Sequence, residues 1–332
     1  MAAKPQSLAD RVTPIDAGEG VIAAGFFGAE PVLALANGDI LFVGGDARRV
    51  AAHPGAGILL ARFMNDAIVT GGDDGRIVET RDAGGAVEIA SETGKWIDAL
   101  CLRADGAIAW SAGKTVRARD TKGDIKTQTA PSSVRGVCFM PKGYRLAVAH
   151  YNGVSLWFPN TAAEPEALVW RGSHLDVTIS ADGRFAVTSM QENCLHGWRI
   201  ADKKDMRMTG YPAKSRSLSW SHDGKWLATS GAEACIVWPF DGKDGPMGRG
   251  PREYCVRPSR VSCVAFHPNG LVIAIGFDDG WIMLSRLTDA AEIFVRSSDK
   301  GGAIATLAWS LDGKRLVFGA EDNAAGVLDL PA

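Results

Sequence analysis

The residues that could hold a metal ion stand near the middle of the chain: His174, Cys194 and His196. Cys194 and His196 alternate along a predicted strand, so both side chains face the same side of it. Three nitrogen and sulfur ligands, with water or a fourth ligand, would make a tetrahedral zinc site. However, the spacing does not bring His174 beside the other two, and Cys101 and Cys138 show cysteine used as a small apolar residue. We predict no metal and no cofactor, while leaving open whether these three residues meet around a metal.

Two other motifs have the residue types of ligand-binding loops. Gly113-Lys114-Thr115 is like the end of a phosphate-binding loop, but Ile108 stands where the motif needs its first glycine, and a strand pattern follows instead of a helix. Asp73-Asp74-Gly75 and Asp278-Asp279-Gly280 lack the several spaced oxygen ligands of a calcium loop. All three segments therefore predict tight turns.

No nucleophile is indicated either, because the chain has no Gly-x-Ser-x-Gly segment at a strand-to-helix turn. Catalysis is disfavoured, and we predict that the protein is not an enzyme.

The overall composition is that of an ordinary globular protein, with 46% hydrophobic and 22% charged residues. The net charge of -2 gives no electrostatic reason to expect nucleic acid or an anionic membrane. No apolar run is long enough for a transmembrane helix, and the first twelve residues lack the apolar segment of a secretory signal. The six cysteines form no Cys-x-x-Cys pair, which favours reduced thiols in a cytoplasmic protein.

The elements that must position any site come from an internal repeat along the whole chain. Each copy has three apolar, strand-like runs separated by two tight turns rich in Asn, Asp and Gly, which is the pattern of an antiparallel meander. We count eight copies, at 21–45, 58–82, 97–120, 134–159, 176–200, 218–240, 261–287 and 304–330.

A fourth short strand-like run follows every copy except the last, and an additional run at 12–16 precedes the first. Four-stranded sheets packed radially protect both of their faces, and a repeat of roughly 40 residues fits four strands. The prediction is an all-β, closed β-propeller with four-stranded antiparallel blades, in one domain spanning 1–332. The N-terminal strand would complete the last blade. Eight blades are favoured and seven are the alternative.

The repeat resembles that of the WD40 family over essentially the entire chain. Tryptophan stands at the family's tryptophan position in three copies, as Trp157, Trp198 and Trp238, but Phe158, Arg199 and Pro239 replace the aspartate that follows. His53 is the only histidine near the family's Gly-His position. The resemblance implies a propeller. The departures from the family's motif imply that the His–Ser/Thr–Trp–Asp hydrogen-bond network of many members is mostly missing here.

In such a fold, the residues that begin each innermost strand would surround the mouth of the central channel. The charged and aromatic residues at these positions are Trp96, Asp98, Arg135, Lys214, Arg216 and Arg260. Arginine and tryptophan are typical of docking hot spots, and the neighbouring Arg171, Arg257 and Arg296 would extend the positive side. The alternative is a solvated rim, partly neutralised by Glu192, Glu233 and Asp279.

We therefore predict a cytoplasmic, non-catalytic scaffold or adaptor that docks an acidic or phosphorylated segment of a protein or peptide partner at this rim. The alternative is a propeller enzyme that uses the central channel, such as a metal-dependent hydrolase or lyase, since the fold hosts both roles. The sequence predicts no nucleic-acid or membrane partner, and it leaves the partner's identity and the oligomeric state open.

Overall fold

A computed structural model describes residues 6–45, 47–82, 85–298 and 301–331. In this part of the chain all regular structure is β, apart from one 3-10 turn at Ala9–Arg11. The chain divides into two compact units, the first formed by Met1–Val50 with Ser215–Ala332 and the second by Ala51–Lys214.

The first unit contains four sheets, each built on four antiparallel strands. The first sheet is β3 (Val21–Phe27), β4 (Glu30–Leu35), β5 (Asp39–Phe42) and β6 (Arg48–Ala51). The second is β21 (Leu218–Trp220), β22 (Trp226–Thr229), β23 (Cys235–Pro239) and β24 (Arg252–Tyr254). The third is β25 (Val261–Phe266), β26 (Val272–Phe277), β27 (Ile282–Arg286) and β28 (Glu292–Arg296), with the short β1 (Gln6–Ser7) added parallel to β28.

The fourth sheet of this unit joins the two ends of the chain. Its strands are β2 (Val12–Asp16), β29 (Ile304–Trp309), β30 (Arg315–Ala320) and β31 (Ala324–Asp329). The pairing of β2 with β31 is antiparallel and runs from Val12 opposite Leu328 to Asp16 opposite Ala324. The prediction that an N-terminal strand completes the last sheet is confirmed.

The second unit contains two four-stranded sheets and one wider sheet. The first is β7 (Ile58–Phe63), β8 (Ile68–Gly72), β9 (Arg76–Asp82) and β10 (Gly85–Ser91). The next is β11 (Ala99–Leu102), β12 (Ile108–Ala112), β13 (Thr115–Arg119) and β14 (Ile125–Thr129). The wider, six-stranded sheet is β15 (Gly136–Phe139), β16 (Leu146–Trp157), β17 (Glu166–Ile179), β18 (Phe185–Met190), β19 (Leu195–Arg199) and β20 (Lys204–Met208).

The described residues form seven sheets, so the favoured count of eight blades is corrected to the alternative of seven. The eight repeat copies remain visible, because the fourth and fifth copies share the six-stranded sheet. Strand β17 is a single strand that pairs with β16 of the fourth copy in its first part and with β18 of the fifth copy in its second part. The hydrogen bonding is therefore continuous where two separate sheets were expected.

The tight turns follow the sequence pattern closely. In three copies the motif Ser-x-Asp-Gly closes the first hairpin with the same contacts, and Ser180 with Asp182 is an example. The Ser180 hydroxyl donates to Asp182 at 2.7 Å and accepts the N–H of Phe185, while Asp182 also accepts the N–H of Arg184. Gly183 completes the turn at a φ of 78°, which favours glycine. The serine of this motif is a turn residue that the sequence analysis did not single out.

In three of the meanders the second strand is buried from end to end. β8, β12 and β18 are buried along their whole lengths, which explains why their sequences are runs of apolar and small residues. Trp110 on β12 and Trp198 on β19 are among the largest fully buried side chains. These sheets provide the rigid support from which the connecting loops extend.

Candidate functional site

The second unit contains the most exposed large aromatic residue of the predicted rim. Trp96 has 66% of its surface exposed, just before strand β11. Asp98, two residues later, accepts the N–H of Gly113 at 2.6 Å and forms an ion pair with Arg135 at 3.2 Å. The Arg135 side chain is 58% exposed, so it can bind a partner while it remains tethered. Asp98 therefore holds Arg135 in place instead of offering a free carboxylate.

Lys214 lies at the end of the second unit. Its ammonium group donates a hydrogen bond to the side-chain carbonyl of Gln191 at 3.2 Å. Gln191 in turn is fixed because its backbone N–H donates to the carbonyl oxygen of Ser173. Lys214 is thus oriented by a neutral side chain.

In the first unit, Arg216 and Arg260 precede the neighbouring innermost strands β21 and β25. Arg216 is exposed, and in the described part of the chain its guanidinium group has no hydrogen-bond or ion-pair partner. Its backbone is fixed, since its N–H donates to the buried Ser230 hydroxyl. Arg260 is 53% exposed and donates to Asp278 at 3.1 Å. Arg216 is therefore the freer of the two cations.

The two arginines predicted to extend the positive side in the first unit have structural contacts. Arg257 donates to Asp279 at 2.9 Å and stacks over the ring of Trp281 at 3.7 Å. Arg296 donates to the carbonyl oxygen of Gly280 and lies over the ring of Phe318. The sequence could not show this, because the aromatic and acceptor groups come from other turns and sheets.

The family's hydrogen-bond network, predicted to be mostly missing, is present in part in the second copy. His53 is fully buried, and its Nδ1 lies 3.1 Å from both carboxylate oxygens of Asp74, while its Nε2 lies 2.9 Å from the Thr70 hydroxyl. A carboxylate only accepts, so Nδ1 carries the proton, and burial lowers the pKa of His53 and keeps the ring neutral. The Thr70 hydroxyl then donates to Nε2. Because Asp74 is used in this way, the tripeptide Asp73-Asp74-Gly75 is a structural turn.

A comparable network in the third copy uses glutamate. Glu92 is buried, with 6% of its surface exposed, and accepts the Trp110 indole N–H at 2.9 Å. The Arg117 guanidinium group is ion-paired with the same carboxylate. A buried carboxylate is stable only with such partners, and nothing in the linear spacing indicated that these three residues meet.

His174, Cys194 and His196 do not form a metal site. His174 has both ring nitrogens engaged, Nε2 donating to the Trp170 carbonyl oxygen at 3.0 Å and Nδ1 at 2.7 Å from the Thr188 hydroxyl. The His174 and His196 ring centroids are 6.4 Å apart, and the Cys194 thiol contacts the Met190 sulfur. Across the described residues, no group of three His, Cys, Asp or Glu side chains is arranged to hold a metal ion.

The other candidate motifs are parts of the scaffold. Gly113 has a φ of 62° in a hairpin in which Ala112 pairs with Thr115, so the phosphate-loop-like segment is a turn. Burial raises the pKa of the Cys138 thiol to about 12 and that of Cys101 well above its usual range. These thiols stay protonated, which fits the prediction of apolar packing positions.

Comparison with protein families finds two matching segments. The family model of the anaphase-promoting complex subunit 4 WD40 domain matches residues 264–331, and the model of the WD domain, G-beta repeat, matches residues 206–239.

Among curated proteins, the chain is similar to echinoderm microtubule-associated protein-like 3. The Homo sapiens protein is 27% identical over 114 residues and the Mus musculus protein is 26% identical over 114 residues. The match covers 34% of this chain and only 11% of either relative. It therefore concerns a small part of those proteins.

Solved structures are similar over most of the chain. The computationally designed Ika8 protein superposes with a TM-score of 0.76 at 17% identity, covering 94% of this chain and 96% of that one. A chain of a mitotic checkpoint complex superposes with a TM-score of 0.67 at 14% identity, covering 82% and 87%. Such low identities show the fold alone. No helix among the described residues is long and apolar enough to cross a membrane.

Proposed function

We propose that this chain, a β-propeller with WD40-type repeats, is a non-catalytic protein-interaction scaffold that docks an acidic or phosphorylated segment of a partner. Propellers with these repeats typically bind proteins or peptides, which supports the general role. The residues proposed for docking are Trp96, Asp98, Arg135, Lys214, Arg216 and Arg260.

The observation that carries the proposal is that exposed side chains recur at the start of innermost strands. Trp96 is mostly exposed, Arg135 is exposed beside its tether Asp98, and Arg216 is exposed with its guanidinium group free in the described structure. Exposed tryptophan and arginine on rigid backbone supply contact area and charge-assisted hydrogen bonds with little loss of conformational entropy. In this arrangement Asp98 positions Arg135.

The alternative of a propeller enzyme gains no support from side-chain geometry. Of the histidines that could act as bases or ligands, His53 and His174 are buried and hydrogen-bonded within the sheets, and His196 is fully buried and stacked on Trp170. The described residues also contain no set of donors suited to a metal ion. We therefore keep the non-catalytic role as the proposal, in a single domain over 1–332 and in the cytoplasm.

The test is recovery of a partner from cell extract by affinity purification with mass spectrometry, followed by variants. Arg216→Glu combined with Arg260→Glu should abolish recovery, because reversed charge repels an acidic segment. Arg286→Glu is the control, since Arg286 is similarly exposed and paired with Asp289 but ends β27, at the opposite end of the strands from Arg260, which precedes β25. Undiminished recovery with the double variant would overturn docking at Arg216 and Arg260.

A second arm examines the residues of the second unit separately. Trp96→Ala should weaken recovery because it removes an exposed aromatic surface, and Arg135→Glu should do so by placing two like charges beside each other at Asp98. If neither variant changes the amount of partner recovered, the second unit does not take part in docking.

A further inference from the structure

A pocket of 260 Å³ in the second unit lies where the fourth and fifth repeat copies meet. It is lined by Trp170, Arg171, Met190, Glu192, Cys194 and Arg207. Trp170 and Arg171 lie on β17, Met190 ends β18, Cys194 immediately precedes β19, and Arg207 lies on β20. Three strands of the six-stranded sheet and the turn between β18 and β19 therefore contribute to one concave surface, in which Arg171 and Glu192 are the predicted rim residues.

The apolar wall of this pocket is rigid. The Trp170 ring stacks on the fully buried His196 ring with centroids 4.0 Å apart and planes 16° apart. The Trp170 carbonyl oxygen accepts a hydrogen bond from His174, so the backbone is fixed as well. Gly172 has a φ of 132°, and a Cβ there would lie 2.5 Å from the Met190 methyl group, so the chain packs directly on Met190. The pocket is consequently formed before any ligand arrives.

The charges around the pocket favour an anion. Arg171 and Arg207 are both exposed, and within the described residues neither guanidinium group has a hydrogen-bond or ion-pair partner. Glu192 is the acidic group in the lining, and its carboxylate already accepts the N–H of Ser173 at 3.2 Å. Asp205 also lies on β20, two residues from Arg207 and 3.7 Å from Nε2 of His196. The two arginines thus remain available for an incoming ligand.

We infer that this pocket binds the phosphorylated side chain of a peptide segment, with Arg171 and Arg207 gripping the phosphate and Trp170 and Met190 packing against the side-chain stem. A phosphate group has three acceptor oxygens and nearly two negative charges, which match two guanidinium groups better than a single carboxylate does. The inference rests on the proposed scaffold function and adds a binding site separate from the six docking residues. It also names the chemical class of the recognised side chain.

The experiment uses N-acetyl-phosphoserine-N-methylamide as the probe and the full chain labelled with ¹⁵N. Titration followed by nuclear magnetic resonance should shift the Trp170 indole signal to saturation, that signal being identified by its loss in Trp170→Phe. Arg171→Gln and Arg207→Gln should each raise the Kd by about tenfold, since a hydrogen bond to a charged group contributes about 1.5 kcal/mol or more. Arg207→Lys should restore part of the affinity, because it keeps the charge without the planar fork.

Lys126→Gln is the matched control, because Lys126 is an exposed cation on the outer strand β14 of a different sheet, and its Kd should equal that of the parent. Thermal unfolding of each variant checks that the fold is kept. A shift that does not saturate, an unchanged Kd in the Arg171→Gln/Arg207→Gln double variant, or equal binding of the glutamate analogue would overturn the inference. Because this probe needs no partner protein, its failure is distinguishable from failure of the recovery experiment with Arg216 and Arg260.

Discussion

At the scale of single residues, the buried His196 should make the fold sensitive to acid. Burial, together with the nearby His174 and Arg207, lowers the pKa of His196 to about 3, whereas an unfolded chain keeps it near 6.5. Above pH 6.5 neither state holds this proton, so the stability is fully present. As the pH falls from 6.5 towards 3, only the unfolded state binds the proton, and the free energy of unfolding decreases by up to about 1.4 kcal/mol per pH unit.

The measurement is urea unfolding at pH 7.5 and 5.0 for the parent and for His196→Phe, which keeps an aromatic ring against Trp170. We expect the drop in stability between the two pH values to be smaller in the variant, by up to about 2 kcal/mol. His222→Phe serves as the control, because His222 is exposed and its replacement should leave the drop unchanged. Equal drops in the parent and in His196→Phe would contradict this account.

Replacing two buried threonines of one sheet by valine should change the stability of the fold by different amounts. Thr70→Val leaves Nε2 of the buried His53 without its hydrogen-bond donor and should destabilise the fold by about 1–3 kcal/mol. Thr80→Val removes a buried hydroxyl that has no partner in the described structure, so it should be neutral or slightly stabilising. Thermal or urea unfolding of both variants tests the pair, and equal losses would show that the His53 network contributes nothing.

Local chemistry was readable from the sequence where it depends on neighbours along the chain. The turn at Gly183 follows from Asp182, because an aspartate that accepts the N–H two residues later and a glycine with positive φ are both local requirements. The meeting of Glu92 with Trp110 and Arg117 was not readable, because it depends on which strands lie side by side. For the same reason the sequence indicated an acidic and basic rim but not which charges are already paired.

At the scale of elements, the N-terminal strand should be required for stability. Residues 12–16 pair with 324–328 at five positions, and Val12 and Ile15 pack against the hydrophobic cores of the first unit. Removing residues 2–17 should lower the free energy of unfolding by on the order of 5 kcal/mol, because it removes the pairings of β2 and β1 and the buried Leu8, and each backbone hydrogen bond contributes about 1 kcal/mol. Adding a synthetic peptide of residues 6–17 should raise the unfolding midpoint of the shortened chain again.

An unchanged unfolding midpoint after the deletion would contradict this role of β2. Ile15→Ala separates the packing contribution from the hydrogen bonds, since it keeps the backbone pairing with Ala325 while removing part of the apolar side chain. We expect it to show a smaller loss than the deletion does. A loss as large as that of the deletion would mean that packing, not the backbone pairing, provides the stabilisation.

Neighbouring innermost strands of the first unit are also joined by hydroxyl side chains that the sequence analysis missed. Ser217 accepts the N–H of Val264, Ser219 accepts the N–H of Phe266, and Thr306 accepts the N–H of Ala24. Each side chain satisfies a backbone group in the next sheet, a group that no strand on that side could pair. Polar residues in otherwise apolar strands are therefore structural here, although in the sequence they look like exposed positions.

At the scale of the whole molecule, the repeat and the fold class were predictable, whereas the number of sheets was not. Alternating apolar runs and turn residues recur eight times, and that periodicity is a property of the sequence alone. Two adjacent copies share one sheet because β17 runs without a break from the fourth copy into the fifth and pairs with β16 in one and with β18 in the other. A pairing of this kind leaves no trace in the hydrophobic pattern.

The charge of the whole molecule leads to a final prediction on the strength of partner binding. The net charge is only -2, so attraction of an acidic segment has to come from local cations such as Arg216 and Arg260 rather than from the overall field. Raising the salt from about 0.1 M to about 1 M shortens the screening length from about 10 Å to about 3 Å, and exposed charge pairs contribute up to about 1 kcal/mol each. Loss of two such pairs should lower the affinity for the recovered partner by about tenfold. In the double variant Arg216→Gln/Arg260→Gln this salt dependence of the affinity should largely disappear. In Trp96→Ala it should persist, because that variant removes contact area and no charge. If the affinity of the parent protein does not change with salt, docking is apolar.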